Sequence, residues 1–589
     1  MFGPTKKTTR LAQWNEQQGA ANHAGSWWRV WQHPALHRCG MVLLSTAAVA
    51  LLVCAWGPPM PYRVGEVYPS DLRVRVYFEV VNQPQTEWRR EEAVESLPAR
   101  QGGDPLVREE ARRAVAPVIE KYPPGMPLVR RGEPITERQM TLLQEEHRAY
   151  LRSLSTADLA RRSAALFLII ALLVSIVVLY VARFQPALAQ SGPKIVSICV
   201  LVVSALALAL LLSRPPWQAS LVPLAVTAMV LTIAYNAPFA LLMSFSMTLI
   251  MTVALGTGLP HLLIMMGGLA TAVMLLPDIR RRSRLVEVGF GAGLGFLAMT
   301  WATGLLSNQT IRMMLTDGGR NLIWGVLAGY ILAGSLPLVE RVFGIVTDIT
   351  LLKLADGSHP LLQELVRRAP GTYIHSITVA TLAESAAKAI GANGVLARVG
   401  SYFHDIGKML KPHYFVENQD GENRHDYLEP ALSTLIIIGH VKDGLELAEQ
   451  YKLPRPIVEF IQQHHGTTLV EYFYREAMRI QEENGHGATD LEASFRYPGP
   501  KPQNRENGIV MLADAVESAS RALREPAPSS LRKLVHDMLM KRLLDGQFEE
   551  SRLTLTELHL IEESLCKSLI ALYHSRIRYP DAKEKKAAA

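Results

Sequence analysis

Apolar positions along the chain fall in blocks. An uncharged run from Cys39 to Trp56 follows a stretch bearing Lys6, Lys7, Arg10, Arg29 and Arg38. Its basic leader is too long for a signal peptide, so the run reads as a retained anchor. A polar segment follows. From Ala164 to about Glu340 the chain is then almost continuously apolar. Turn and charge signals at Gln185–Lys194, Arg214–Pro216, Asn236–Pro238, Gly256–Pro260, Asp278–Arg284 and Ser307–Arg320 divide that stretch. Seven spans result, near Ala164–Ala182, Ile195–Leu212, Leu221–Tyr235, Phe239–Leu255, Leu262–Leu276, Val286–Leu306 and Leu322–Leu338. A bilayer core takes about 20 helical residues, so the short spans are expected to extend past these limits.

With the anchor this makes eight crossings and puts both ends of the chain on one side. Only this count places the N-terminal basic residues and the Arg280, Arg281, Arg282 and Arg284 cluster on the same face, which the positive-inside rule makes cytoplasmic. Residues 58–163 are then outside. There Leu72, Val74, Val76, Phe78 and Val80 alternate with Arg73, Arg75, Tyr77 and Glu79, the period of a half-buried strand. Asp104 and Pro105 read as the cap and first turn of a helix continuing through Val107, Ala111, Ala114 and Val118.

The expected organisation is a multi-domain integral membrane protein. It has a cytoplasmic N-terminal segment (1–38), an anchor helix (39–57), a small α+β extracytoplasmic domain (58–163), a seven-helix transmembrane bundle (164–342) and an all-α cytoplasmic domain (343–589) ending in a polar tail with Lys583, Glu584, Lys585 and Lys586.

Composition narrows the function classes. Over 589 residues the mean hydropathy is +0.12, which excludes disorder and a purely soluble enzyme. Four cysteines without CxxC spacing exclude a disulfide framework and a structural zinc site. The net charge of +7 sits beside apolar segments and reads as membrane topology, with lipid as partner and no nucleic-acid polymer.

Chemistry concentrates after residue 343. Five histidines, His375, His404, His440, His464 and His465, and two aspartates, Asp405 and Asp514, stand in five separate helical segments. His375 shares a face with Val379, Leu382, Ala386 and Ile390, so it points into a core. Asp514 ends the apolar run Val510–Ala513, and a carboxylate buried there must be paired or bind metal. Imidazole and carboxylate without thiolate suit Mn, Fe or Zn, and seven ligands exceed the needs of one ion. With Asp405 bridging, His375, His404 and Asp514 complete one site, and His440, His464 and His465 the other. Two such ions suit phosphoester hydrolysis. Lys408, about one turn beyond Asp405, can place an ammonium on a phosphate oxygen.

The runs HDIGKMLKPHYFVENQ (His404–Gln419), HVKDGLELAEQYKLP (His440–Pro454), IQQHHG (Ile461–Gly466) and FRYPGPKP (Phe495–Pro502) resemble the seven-transmembrane HD-domain family, PgpH type. LVRRGEPIT (Leu128–Thr136) resembles its extracytoplasmic domain; DGQFEESRLTLTEL (Asp545–Leu558) and YHSRIRYP (Tyr573–Pro580) resemble its C-terminal region. The resemblance implies a helical HD domain holding two divalent ions, Mn or Fe, and hydrolysis of cyclic di-AMP to linear pApA. All seven metal positions of that family are filled here. Asp405 and Lys408 are the expected catalytic residues, and Lys408, Arg496 and Lys501 the expected substrate contacts. A ligand of the outer domain and a second copy of the chain are further partners left open. Two other readings stand beside this one. Cyclic di-GMP hydrolysis is disfavoured because Gly466–Val470 follows the double histidine in place of a longer signature. A nucleotide-binding membrane receptor without turnover is disfavoured because no ligand is missing.

Overall fold

The apolar blocks fold as helices in the computed structural model, which describes residues 34–97, 104–277, 279–419, 421–483, 491–523 and 526–574. The N-terminal basic residues from Lys6 to Arg29 and the tail Lys583–Lys586 lie outside the described residues, as does Asp278. The chain divides into two compact units, Met1–Pro277 with Arg282–Phe343, and Asp278–Arg281 with Gly344–Ala589.

In the first unit, helix α1 (Pro34–Trp56) leads into the polar segment. There β1 (Leu72–Arg73), β2 (Phe78–Val81), α2 (Gln83–Glu95), α3 (Pro105–Ala114), β3 (Ile119–Tyr122), β4 (Pro127–Val129) and α4 (Glu137–Ser153) follow in order. The expected alternation holds by face, since Leu72, Val74 and Phe78 are buried while Arg73, Arg75, Tyr77 and Glu79 face out. It does not form one strand. β1 pairs antiparallel with β4, and β2 with β3. Between them Val74 bonds the turn at Gly125 and Met126, and the Arg75 amide donates to the buried Glu146 carboxylate at 2.9 Å, which pulls the backbone out of the ladder. Asp104 caps α3 as expected, accepting from the Leu106 amide. The helix nevertheless stops at Ala114 and buries none of its residues; the Val118 amide, expected inside it, donates to Thr86 Oγ1.

The apolar stretch then gives α5 (Thr156–Phe184), α6 (Gly192–Leu212), α7 (Leu221–Ala234), α8 (Ala237–Leu255), α9 (Leu259–Leu275), α10 (Arg282–Leu306) and α11 (Ile311–Phe343). Local chemistry sets their ends. Ser155 and Asp158 form a capping box at the start of α5, Asn236 caps α8, and Gly256 ends α8 in the left-handed region at φ +63°. Every expected span is a helix, but among the described residues six are long and apolar enough to cross a membrane: α1, α5, α6, α8, α10 and α11. α7 and α9 are shorter. α7 does not extend past its expected limits because Tyr235 leaves helical geometry and Asn236 caps the next helix. At the expected break Ser307–Arg320, α11 instead begins at Ile311, its polar Asp317 and Arg320 pairing one turn apart at 2.7 Å.

α10 and α11 meet backbone to backbone. Gly289 and Gly293 on α10 face Gly325 and Gly329 on α11. A Cβ on Gly325 would stand 2.5 Å from the Gly293 Cα, and one on Gly329 would stand 2.7 Å from the Leu285 carbonyl oxygen. Without a hydrophobic driving force inside lipid, this small-xxx-small seam is what lets two helices gain dispersion contacts.

The second unit is helical: α12 (Asp348–Leu354), α13 (Pro360–Arg368), α14 (Pro370–Ala389), α15 (Gly394–Phe403), α16 (Pro430–Gln450), α17 (Arg455–Gln463), α18 (Glu471–Glu483), α19 (Arg505–Arg521), α20 (Pro528–Leu544) and α21 (Leu555–His574). Two apolar cores hold it. One joins α14, α19, α20 and α21 around Val379, Val510, Val535 and Leu565; the other joins α13, α15 and α17 around Leu361, Phe403 and Ile457.

The glycine seam is testable. Gly325→Leu is expected to lower the unfolding midpoint of the detergent-solubilised protein by several degrees or prevent its accumulation, since overpacking costs about 1–3 kcal/mol or more. Gly319→Ala, on the same helix with nothing within 4 Å of an added Cβ, should leave the midpoint unchanged or raise it. Equal tolerance of both variants in circular-dichroism melts would show that the seam does not hold the pair.

Candidate metal centre

Five elements converge on one buried point in the second unit. α14 presents His375 from its interior, the C-terminal end of α15 presents His404 and then Asp405, and α16 presents His440. The C-terminal end of α17 presents His464 and His465, and α19 presents Asp514. Beyond His375 on α14, Val379, Leu382 and Ala386 are buried as the spacing predicts, and Ile390 is partly buried against the same core. The turn after Asp405, a 3₁₀ segment from Ile406 to Leu410, lies directly on α16: a Cβ at Gly407 would run into the His440 carbonyl.

Asp405 stands between two sets of nitrogens. Its Oδ1 is 3.3 Å from His440 Nε2 and 3.5 Å from His464 Nε2. Its Oδ2 is 3.2 Å from His404 Nε2 and 3.5 Å from His375 Nε2. Asp514 Oδ1 lies 3.1 Å from His375 Nε2, and Asp514 Oδ2 lies 3.8 Å from His465 Nδ1. Two four-residue groups able to hold a metal ion result, one of His375, His404, Asp405 and Asp514, the other of Asp405, His440, His464 and His465. Asp405 is common to both.

The other ring nitrogen of four of these histidines is already committed. His404 Nδ1 lies 2.7 Å from the Ser401 carbonyl, His440 Nδ1 2.6 Å from Ile437, and His464 Nδ1 2.9 Å from Phe460. A carbonyl only accepts, so each Nδ1 carries the proton and each Nε2 is left with its lone pair. Ser401 lies near a helix C-terminus, where carbonyls have no partner in the next turn, and so does Ile461, whose carbonyl stands 3.0 Å from the same His464 Nδ1. His375 Nδ1 instead meets Glu517 Oε2 at 2.5 Å, and Glu517 is held in turn by Arg521 at 2.7 Å. His465 is steadied by stacking on Tyr497, centroids 4.2 Å apart.

This leaves acceptors aimed at acceptors. His375 Nε2, His404 Nε2 and Asp405 Oδ1 are buried without a hydrogen bond, and His440 Nε2 faces His464 Nε2 at 3.3 Å. Such a set is unfavourable alone and fits divalent cations, which take neutral imidazole and carboxylate oxygen. Electrostatics agree for two of the rings, while at His375 burial is outweighed by the carboxylates of Asp405, Asp514 and Glu517, which raise the pKa well above its ordinary value and so already draw positive charge to this point. Burial pushes the pKa of His440 down to about 3 and that of His465 well down, which keeps both as neutral donors. Burial raises Asp405, but His404 and Lys408 outweigh it and hold the carboxyl well below its usual range. Asp514 is likewise lowered, the effect of burial being overcome by His375.

Lys408 Nζ stands 2.7 Å from Asp405 Oδ2 and 3.1 Å from Glu417 Oε1. Burial disfavours its charge, yet the two carboxylates raise its pKa and keep it an ammonium. Glu417 is fixed by Thr372 Oγ1 at 3.0 Å. Arg496 and Lys501 are not among the converging residues. Arg496 bonds Glu492, Asp545 and the Thr467 carbonyl, and Lys501 pairs with Glu549. Sequence reasoning passed over Glu517, Glu417 and Tyr497. Glu517 was findable as the residue one turn past Asp514 on the same buried face; Tyr497 adjoined the arginine chosen instead.

Comparison with known proteins places the chain. Residues 161–347 match the family model described as 7TM receptor with intracellular HD hydrolase, and residues 372–519 match the HD domain. The cyclic-di-AMP phosphodiesterase PgpH of Bacillus subtilis (strain 168) is 42% identical over 320 residues, 54% of this chain and 44% of that protein. The protein of the same name in Listeria monocytogenes serotype 1/2a (strain 10403S) is 36% identical over 492 residues, 81% of this chain and 66% of that protein. The matched portions thus span 44% and 66% of these relatives' lengths. The crystal structure of the L. monocytogenes phosphodiesterase PgpH HD domain in complex with cyclic-di-AMP is 46% identical; it covers 38% of this chain and 100% of that one, at a TM-score of 0.35.

Asp405→Ala should release metal from both groups at once, seen as the loss of about two metal ions per chain by elemental analysis. Glu517→Ala should instead weaken retention in the His375 group by about 10–100-fold, with partial rescue by Glu517→Gln, whose amide oxygen still accepts from Nδ1. Full metal content in Asp405→Ala would refute the bridge.

Proposed function

Because the chain belongs to the family of seven-transmembrane receptors with an intracellular HD hydrolase, we propose that it is a membrane-bound phosphodiesterase that opens cyclic di-AMP to linear pApA. One observation carries the reading: a buried aspartate whose two oxygens are divided between two sets of converging donor atoms. In this reading the seven apolar helices α5 to α11 follow the α1 anchor across a cell membrane, with the N-terminus and the HD domain cytoplasmic and residues 58–163 outside. Seven residues, His375, His404, Asp405, His440, His464, His465 and Asp514, hold two divalent ions, Mn or Fe.

Such ions neutralise phosphoryl charge and supply a water of lowered pKa. The chain's own groups do the positioning. The anchored Nδ1 atoms of His375, His404, His440 and His464 fix each ring before any substrate arrives, so no reorganisation is needed at the moment of reaction. Burial of Asp405 and His404 to 1% and 0% exposure keeps bulk water from screening the site. Lys408, an ammonium held beside Asp405 by Glu417, offers its charge to a non-bridging oxygen of the phosphate. A nucleotide contact by Arg496 or Lys501 requires either side chain to leave Asp545 or Glu549.

The test is product analysis of the purified protein loaded with Mn or Fe and given cyclic di-AMP and cyclic di-GMP in competition. Conversion of cyclic di-AMP to pApA is expected, abolished in the His404→Ala, Asp405→Ala double variant. Preferential loss of cyclic di-GMP would overturn the substrate, and binding without turnover at full metal content would make the protein a receptor. Lys408→Ala should keep its metal while kcat falls on the order of 10²-fold; parallel loss of metal would assign Lys408 to holding Asp405 instead.

A further inference from the structure

The first unit contains a cavity of about 700 Å³, within the size range of small-molecule sites. Its walls come from the segment after α1, from the turns joining α6 to α7 and α8 to α9, and from the first turns of α11. Ionisable side chains on a helix long and apolar enough to span a membrane are costly there and mark function by default. α11 brings two, Asp317 and Arg320, to this one wall.

The charges do not cancel. Asp317 is shared by two arginines, with Arg63 Nη2 at 3.0 Å and Arg320 Nη2 at 2.7 Å. Arg63 also lies 3.8 Å from Glu66 and donates to Gln218 at 3.2 Å. Arg214, whose guanidinium lies 4.6 Å over the Trp56 ring, has no ion pair among the described residues. Three guanidiniums thus line the cavity against two carboxylates. Hydrogen-bonding capacity is left over as well: Arg320 Nε and Thr257 Oγ1 are buried without a partner. Part of the remaining wall is apolar and adaptable, with Met265, Met313, Met314 and Tyr62 among polar side chains such as His261 and Gln309.

We propose that this cavity is a binding site for an amphiphilic anion, a phosphate or carboxylate head carried on an apolar body. The head sits against Arg214 and the free edge of Arg320, where planar guanidinium forks match its oxygens, and the body lies along the methionines. An anionic phospholipid and a water-soluble amphiphile both carry this chemistry. The site makes no use of the HD centre, so it stands or falls independently of the substrate assigned there.

The full chain, reconstituted in phosphatidylcholine nanodiscs, separates the two sources. One arm adds hexyl phosphate from the aqueous phase; the other replaces part of the lipid with phosphatidylglycerol. A saturable rise of a few degrees in the unfolding midpoint is expected in at least one arm, because a ligand that binds only the folded state stabilises it. A rise in the first arm alone assigns a soluble ligand, and a rise in the second alone a lipid. Arg214→Gln, which breaks no ion pair among the described residues, should abolish the rise without lowering the starting midpoint, and Ser307→Phe should abolish it by filling the space. No rise in either arm, or an equal rise in both variants, overturns the proposal.

Discussion

The second unit is organised around a carboxylate buried among lone pairs. Asp405 is 1% exposed, its Oδ2 held by the Lys408 ammonium at 2.7 Å and its Oδ1 buried without a hydrogen bond. Four imidazoles turn their Nε2 edges to it. Lys408 and His375 are drawn to the carboxylates, but His440 and His464 meet nitrogen to nitrogen at 3.3 Å. The five elements must therefore be brought together from outside, by the two apolar cores and by the contacts behind each ring. That explains why a carbonyl or a carboxylate stands behind four of the five histidines. The outer anchors fix the tautomers and the cores fix the distances, so that nitrogen and carboxylate donors of both groups converge on Asp405.

The adjacency of His404 and Asp405 follows from the same constraint. A helix ending in histidine supplies its own anchor, because the last carbonyls of the helix are free to accept from Nδ1. His464 repeats the arrangement at the end of α17, with its Nδ1 3.0 Å from the Ile461 carbonyl. The residue after each of these histidines then starts a new backbone direction and carries a second ligand, Asp405 in one case and His465 in the other. Gly407 lets the first of these turns sit against the α16 backbone, where any side chain would collide.

The convergence of the seven residues was legible because histidine and aspartate on apolar helical faces are conspicuous, and their positions needed only the period of a helix. The span positions were legible for the same reason, as blocks without charge. What escaped the sequence depended on distant partners or on local competition for backbone groups. Glu517 reads as half of an ordinary salt bridge with Arg521 one turn on; only the fold places His375, far earlier in the chain, against it. Arg496 reads as a nucleotide ligand until Asp545 arrives from another helix end to pair with it. The run from Leu72 to Val80 has perfect strand alternation, yet Glu146 takes the Arg75 amide and splits it in two. Hydropathy also located α7 correctly while missing that Tyr235 would end it early.

α11 joins the two unusual features of the first unit. Its middle carries Gly325 and Gly329, locked so closely to α10 that neither helix can slide past the other without a backbone clash. One to two turns earlier it carries Asp317, Arg320 and Asn321, on the wall of the charged cavity, and Asn321 reaches across to Thr300 of α10 at 3.0 Å. α10 and α11 are therefore tied at two levels over this length, by backbone contact at the glycines and by a buried hydrogen bond near the cavity. The same α11 runs without interruption to Phe343, one residue before the chain enters the second unit at Gly344.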